Sequence, residues 1–197
     1  MGQHVTSRAN GRRSRTAFIS ATADLLRRQG YAATGLNEIV ARSGAPKGSL
    51  YFHFPGGKRE LAQAAMEQSG EQLRGAIAAV MAAETSFADG LGAIIDLLGA
   101  GLEASGYRDG CPIATVTLEV AGGSDEDVRV AAAGVFAGWL EALAEQLRAE
   151  GFDEQAAERR ALLVLSAIEG ALILARARRD LAPLRAIRQE LVELSVG

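Results

Sequence analysis

The 197-residue chain contains one cysteine (Cys111), four prolines, one tryptophan and two histidines. A lone thiol excludes an internal disulfide framework and a cysteine-built zinc site. The histidines are His4 and His53, and no Ser/His/Asp grouping or metal-ligand cluster accompanies them. An enzyme is therefore not expected, nor is a metal or other cofactor. Few prolines, few β-branched runs and abundant alanine favour a helical chain. No apolar run reaches the roughly 18 residues that a bilayer span requires. The polar start Met-Gly-Gln-His-Val-Thr-Ser lacks the apolar segment of a signal peptide. We expect a cytoplasmic protein with no membrane partner, and 48% hydrophobic residues suffice for a sizeable core.

Lysine is also scarce: Lys47 and Lys58 are the only two. Both fall in the part of the chain where positive charge concentrates. Residues 1–60 hold ten Lys/Arg and three acids, whereas 61–197 hold eleven and twenty-one. The net charge of −3 thus divides into a head of +7 and a body of −10. Two readings fit such a head: a solvated basic face, or a surface that meets a polyanion.

The stretch Asn37–Phe54 favours the second. Leu36 to Arg42 reads as a short helix with Ile39 and Val40 inward, and Ser43-Gly44-Ala45 as a tight turn. Pro46 to His53 reads as a second helix, proline being well placed in a first turn. Two short helices across a glycine turn match the helix-turn-helix pattern. Before them, Ser14 to Gln29 predicts a helix with Phe18, Ala21 and Leu25 on one face, stopped at Gly30. Residues 1–12 show no periodicity and read as a flexible basic arm, either with a role on a groove or phosphate backbone or with none. Thr34 sits at the mouth of the second helix, where its hydroxyl caps that helix or holds a phosphate. Phe18, Leu36, Ile39, Leu50 and Phe54 are the expected core of the head, with Tyr51 and His53 on its surface. After Phe54-Pro55-Gly56-Gly57, a fourth helix runs from Lys58 to about Ala83, its N-terminus and Lys58 forming a candidate phosphate clamp.

From about Arg13 to Leu61 these residues resemble the tetracycline-repressor (TetR) family of bacterial regulators. The resemblance is carried by Phe18, Leu25, Gly30-Tyr31, Thr34, Ile39, Ala41, Gly44, the run Lys47-Gly48-Ser49-Leu50-Tyr51-Phe52-His53-Phe54-Pro55, and Lys58 to Leu61. The extra glycine before Lys58, with Gly110-Cys111-Pro112-Ile113-Ala114 and Glu169-Gly170-Ala171-Leu172, is similar to the LmrA/YxaF-like branch. The resemblance implies an all-α homodimer of about nine helices per chain. Its parts would be the arm (1–12), a three-helix DNA-binding domain (13–60) and a ligand-binding and dimerisation domain (61–197). It implies that Lys47, Gly48, Ser49, Tyr51 and His53 line the recognition helix, with Thr34 and Lys58 on phosphates. Gly48 and Ser49 are small enough for close approach to base edges. Arg42 is the nearest arginine for a bidentate base contact.

In the body, helices are expected over Ser86 to Ala104, Cys111 to Val120, Asp125 to Glu150, from Asp153 to about Arg179, and at the C-terminus. Thr115 and Thr117 serve either as pocket donors or as back-bonds to their own helix. Cys111 fits a small buried hydrophobe better than a reactive thiol. Phe136 and Trp139, one turn apart, are core or pocket wall. Glu169, inside an apolar run, either pairs with an arginine such as Arg176 or anchors a ligand. Candidate pocket residues are Ile94, Leu98, Cys111, Thr115, Phe136, Trp139 and Glu169. Candidate dimer contacts are Leu165, Leu172, Ile173, Ile187 and Leu191.

The reading is a DNA-binding regulator, a repressor released from a palindromic operator in double-stranded DNA by a small apolar or aromatic inducer. The alternative is a constitutive or architectural DNA-binding protein without inducer.

Overall fold

Residues 3–123 and 125–195 are described by the computed structural model. Among them are nine α-helices, one 3-10 turn and no strand. The helices are α1 (Gln3–Gln29), α2 (Leu36–Ser43), α3 (Leu50–His53), α4 (Lys58–Ala83), α5 (Phe87–Ala104), α6 (Pro112–Val120), α7 (Glu126–Ala149), α8 (Glu154–Arg178) and α9 (Ala182–Ser195). None is long and apolar enough to cross a membrane. The chain divides into two compact units, residues 1–69 with 112–133, and residues 70–111 with 134–197.

Three expectations are corrected. The N-terminal stretch is helical from Gln3 rather than an aperiodic arm. It has no proline, and extending an existing helix avoids the cost of nucleating one. The second helix of the motif starts after Pro46, as a 3-10 turn over Lys47–Ser49 that passes into α3. Pro46 itself is extended, with ψ 129°. The third correction concerns Thr34. It does not cap α2, whose N-cap is Gly35 without a side-chain hydrogen bond. Instead Thr34 is buried, and its Oγ1 donates to Gly30 O at 2.6 Å.

The first unit is built around aromatic and branched side chains. Phe18, Ile39, Leu50 and Phe54 are buried as expected, and Leu36 is only partly so. The Phe18 and Phe54 rings meet edge-to-face, their centroids 6.4 Å apart. Leu61 and Met66 of α4, and Ile113, Val116 and Val120 of α6, are also fully or nearly fully buried. That α6 belongs to this unit, packed on α1, has no signal in the sequence.

Alongside that packing, polar contacts tie the α1–α2 turn to α6 and to the start of α7. Gly30, at φ +77°, ends α1, and a Cβ there would collide with Glu119 Oε1. Glu119 Oε2 accepts from the Ala32 N–H at 2.6 Å. Tyr31 is buried, and its hydroxyl donates to Asp125 Oδ1 at 3.2 Å. Burial first, then the charge of Asp125 and that hydrogen bond, push the Tyr31 pKa up to about 12, against an opposing pull from Arg59.

The second unit has one core, formed by Phe87, Leu91, Ile95 and Leu102 of α5, Leu147 of α7, Val164 and Ile168 of α8, and Leu184 and Leu191 of α9. Alanines 157, 161, 171 and 175 complete the buried face of α8 and let its neighbours approach closely. Ser86 and Asp153 cap α5 and α8, each side chain accepting from a backbone N–H three residues on. Trp139 is buried, edge-to-face with Phe136 at 5.6 Å, and its Nε1–H donates to Gly70 O at 3.1 Å.

Two outcomes test the ties at the α1–α2 turn. Gly30→Ala adds a Cβ both in a left-handed conformation and against Glu119. It should cost more than about 1 kcal/mol in urea denaturation. Glu119→Ala in the same chain should recover part of that loss, and strict additivity would refute the contact. In an alkaline absorbance titration, one of the three tyrosines should ionise near pH 12 rather than near the usual value of about 10. Because the folded pKa is raised, this stabilisation is complete below about pH 10 and is lost as pH climbs toward 12. Tyr31→Phe should abolish the late step.

Candidate nucleic-acid interface

The reading segment is short. It comprises the 3-10 turn and the four residues of α3, with Leu50 and Phe54 buried and one turn apart. Gly44, in the left-handed region at φ +63°, reverses the chain after α2. Ser43 Oγ accepts from Ala45 N at 3.1 Å and so fixes that turn. The remaining faces of the segment are then presented outward. Lys47 and Gly48 are exposed, Tyr51 is 61% exposed and Phe52 81%.

The expected contacts separate into groups. Lys47, Gly48 and Tyr51 lie open together on the segment. Ser49 is half-buried, and its hydroxyl donates to Pro46 O at 2.7 Å, which leaves only lone pairs for a ligand. His53 is also half-buried, packed between the rings of Phe52 and Phe54 at 5.0 and 6.4 Å. Arg42 is exposed but paired with Asp24 Oδ2 at 3.1 Å, and Asp24 also receives Arg27. Exposed pairs of this kind are weak, so they orient Arg42 without fixing it. Thr34, buried and bonded to Gly30 O, presents no hydroxyl to a phosphate.

Lys58 is half-buried. Its ammonium lies 4.4 Å from the Tyr31 ring centroid and donates to Ala32 O at 3.3 Å. The turn of the first unit therefore aims this charge. Beside it, Glu60 Oε2 accepts from Gly56 N at 2.8 Å, which sets a carboxylate at the α4 N-terminus. The extra glycine has a steric role: Gly57 is buried at φ +62°, a conformation glycine adopts without strain.

No sequence pattern singles out Phe52. A large apolar side chain on a solvent-facing position of an otherwise well-packed unit is the signal that finds it. Arg12, Arg13 and Arg15 of α1 are likewise exposed, and the Arg15 guanidinium lies over the Phe54 ring at 5.3 Å.

The other candidate residues fall elsewhere. Ile94, Leu98, Cys111, Phe136, Trp139 and Glu169 belong to the second unit, and Thr115 to the first. Thr117 takes the back-bonding role, donating to Ile113 O at 2.8 Å. Glu169 does not pair with Arg176. The Cys111 thiol donates to its carboxyl, and Oε2 is buried with no hydrogen-bond partner. Leu191 is buried in its own chain's core, and Leu172 and Ile187 are partly buried against that core. Ile173 is 52% exposed, in company with Leu162, Leu163 and Leu174.

Comparison with known proteins agrees with this geometry. Residues 18–65 match the model of the tetR family of bacterial regulatory proteins, and residues 87–190 match the C-terminal domain of LmrA/YxaF-like transcriptional regulators. The HTH-type transcriptional regulator LmrA of Bacillus subtilis is 37% identical over 87% of this chain and 90% of its own. An HTH-type regulator of Mycobacterium tuberculosis is 35% identical over 91% of this chain and 93% of its own. Among solved structures, a regulatory protein TetR from Rhodobacter sphaeroides shares the fold at a TM-score of 0.80 and 23% identity, covering 90% of this chain and 96% of that one. A TetR transcriptional regulator from Chloroflexus aurantiacus aligns at 0.76 and 27%, covering 93% and 94%. The chain belongs to the TetR family of helix-turn-helix, DNA-binding transcriptional regulators, with a C-terminal domain of the LmrA/YxaF-like kind.

Proposed function

We propose that the protein is a cytoplasmic repressor that grips a palindromic operator as a homodimer and is released by a small apolar or aromatic inducer. In this reading residues 13–60 bind DNA and 61–197 bind the inducer and the second copy. The observation that carries it is the reading segment, which holds Lys47, Gly48, Tyr51 and Phe52 in the open although two of the four are large rings. Lys47 and Lys58 contact phosphates, and Phe52 offers an apolar edge to a thymine methyl. The exposed Leu162, Leu163, Ile173 and Leu174 of α8 supply the apolar face against which a second copy packs. Release requires that inducer and operator favour different states of the dimer.

Mobility shifts with DNA from upstream of the protein's own gene, run across a salt series, test this reading. Lys47→Ala should weaken binding to all sequences and reduce the salt slope by about 0.9, since one phosphate fewer is neutralised. Phe52→Ala should instead reduce preference for the specific site by about 1–3 kcal/mol at an unchanged slope. No sequence-selective, salt-sensitive shift for the unaltered protein would sink the DNA reading. Release of bound DNA by no compound of a small-molecule panel would favour the constitutive alternative. For the assembly, Leu174→Asp should yield a monomer by light scattering with helical circular dichroism retained, and an intact dimer would remove α8 from the interface.

A further inference from the structure

Within the second unit, the interior of α8 carries one acid at a place where the packing offers it almost nothing. Glu169 lies between Leu165 and Leu172 along one line of the helix, and all three are partly buried. The Cys111 thiol, on the segment before α6, is hydrogen-bonded to its carboxyl group. Oε2 is enclosed and unpaired, the one such buried side-chain oxygen or nitrogen among the described residues. No arginine or lysine contributes to its ionisation, and burial pushes the carboxyl above its ordinary range. A thiol is a weak donor, so even the partnered side of the group is poorly satisfied. Folding alone gives no reason for an acid here, since methionine or leucine would fill similar volume without the desolvation cost.

We propose that Glu169 is the polar anchor of a ligand site in the second unit, specific for an aromatic or otherwise apolar molecule that carries one hydrogen-bond donor. The donor, an O–H or a cationic N–H, is received by Oε2. The apolar part lies against the Leu165 and Leu172 side of α8. Cys111 is the positioning residue, since its thiol holds the carboxyl with the other oxygen turned toward the ligand. An N–H cation also supplies the countercharge that the protein withholds, whereas a hydroxyl satisfies the acceptor alone. This proposal rests on the reading that the C-terminal domain binds a small molecule, and it adds the chemistry by which that molecule is held.

The test uses full-length protein and three probes of one shape: 2-naphthol, 2-naphthylmethylamine and 2-methylnaphthalene. Calorimetry should give at least one of the two donor-bearing probes an affinity about tenfold or more above that of 2-methylnaphthalene, the range expected for a hydrogen bond to a buried carboxyl. Glu169→Leu should level the three. Glu169→Gln should keep 2-naphthol, because an acceptor oxygen remains, and lose the advantage of the amine. That split tells a neutral from a cationic donor. Without ligand, Glu169→Gln and Glu169→Leu should melt at or above the temperature of the unaltered protein. Equal affinity for all three probes, no binding of any, or a marked fall in melting temperature for both variants would overturn the site. Release of operator DNA is scored separately. A donor probe that binds through Glu169 without releasing DNA leaves the site standing and defeats the inducer reading. DNA release by another compound, with no dependence on Glu169, does the reverse.

Discussion

Everything the DNA-facing unit presents depends on two buried side chains, Leu50 and Phe54. The 3-10 turn and α3 together are far shorter than the roughly 12–15 residues an isolated helix needs to persist in water. Their conformation is therefore borrowed from tertiary packing. Leu50 and Phe54 fix one face, and Phe18 of α1 meets Phe54 edge-on, so α1 sets the angle at which the segment emerges. With both anchors on one face, the other positions are relieved of any duty in folding. Lys47, Gly48, Tyr51 and Phe52 are then left exposed on the segment.

A second set of contacts in that unit is of another kind. The aromatic centre is apolar and sealed, with Phe18 and Phe54 at 0% exposure. The α1–α2 turn is tied to α6 by Glu119 on the Ala32 amide, a solvent-exposed contact, and to the residue before α7 by Tyr31 on Asp125, a part-buried one. Lys58 closes on the same turn through Ala32 O and the Tyr31 ring. Exposed polar contacts exchange readily with water and contribute little each, whereas a large buried side chain contributes several kcal/mol, about 3–5 for a phenylalanine. The internal geometry of the reading head is thus the stiff part of the unit. The polar contacts around the α1–α2 turn are the weaker set, and Lys58 is held by that set.

How much of this is legible in the sequence follows from the range of the forces involved. The helix-turn-helix is legible because its signals are local: the turn glycine, the proline after it, and leucine and phenylalanine one turn apart. Helix boundaries in the body follow from caps such as Ser86 and Asp153, which act within three residues. Thr34 and Arg42 read as outward groups because threonine and arginine usually are, yet Gly30 O and Asp24 claim them. No local pattern announces such partners. The same holds for α6, whose apolar residues look like body core and lie instead against α1. Leu191 and Ile173 read alike as interface candidates, but one is buried in its own chain and the other is exposed. A helix apolar around most of its surface does not declare which face belongs to which neighbour.

That ambiguity is sharpest in α8, where three kinds of surface share one helix. The alanines at 157, 161, 171 and 175 form a smooth buried side that lets α5 and α9 come close. Leu162, Leu163, Ile173 and Leu174 form an exposed side whose apolar area is unexplained by a single copy. Between these lies the line of Leu165, Glu169 and Leu172. The first builds the core, and the second suits the second copy of the proposed homodimer. The third contains an acid whose Oε2 is buried without a hydrogen-bond partner. Marginal stability makes a cost of this size hard to carry without return. A return exists if the group is completed by something that is not part of the chain, and then the penalty in the free protein becomes selectivity toward molecules that bring the missing donor.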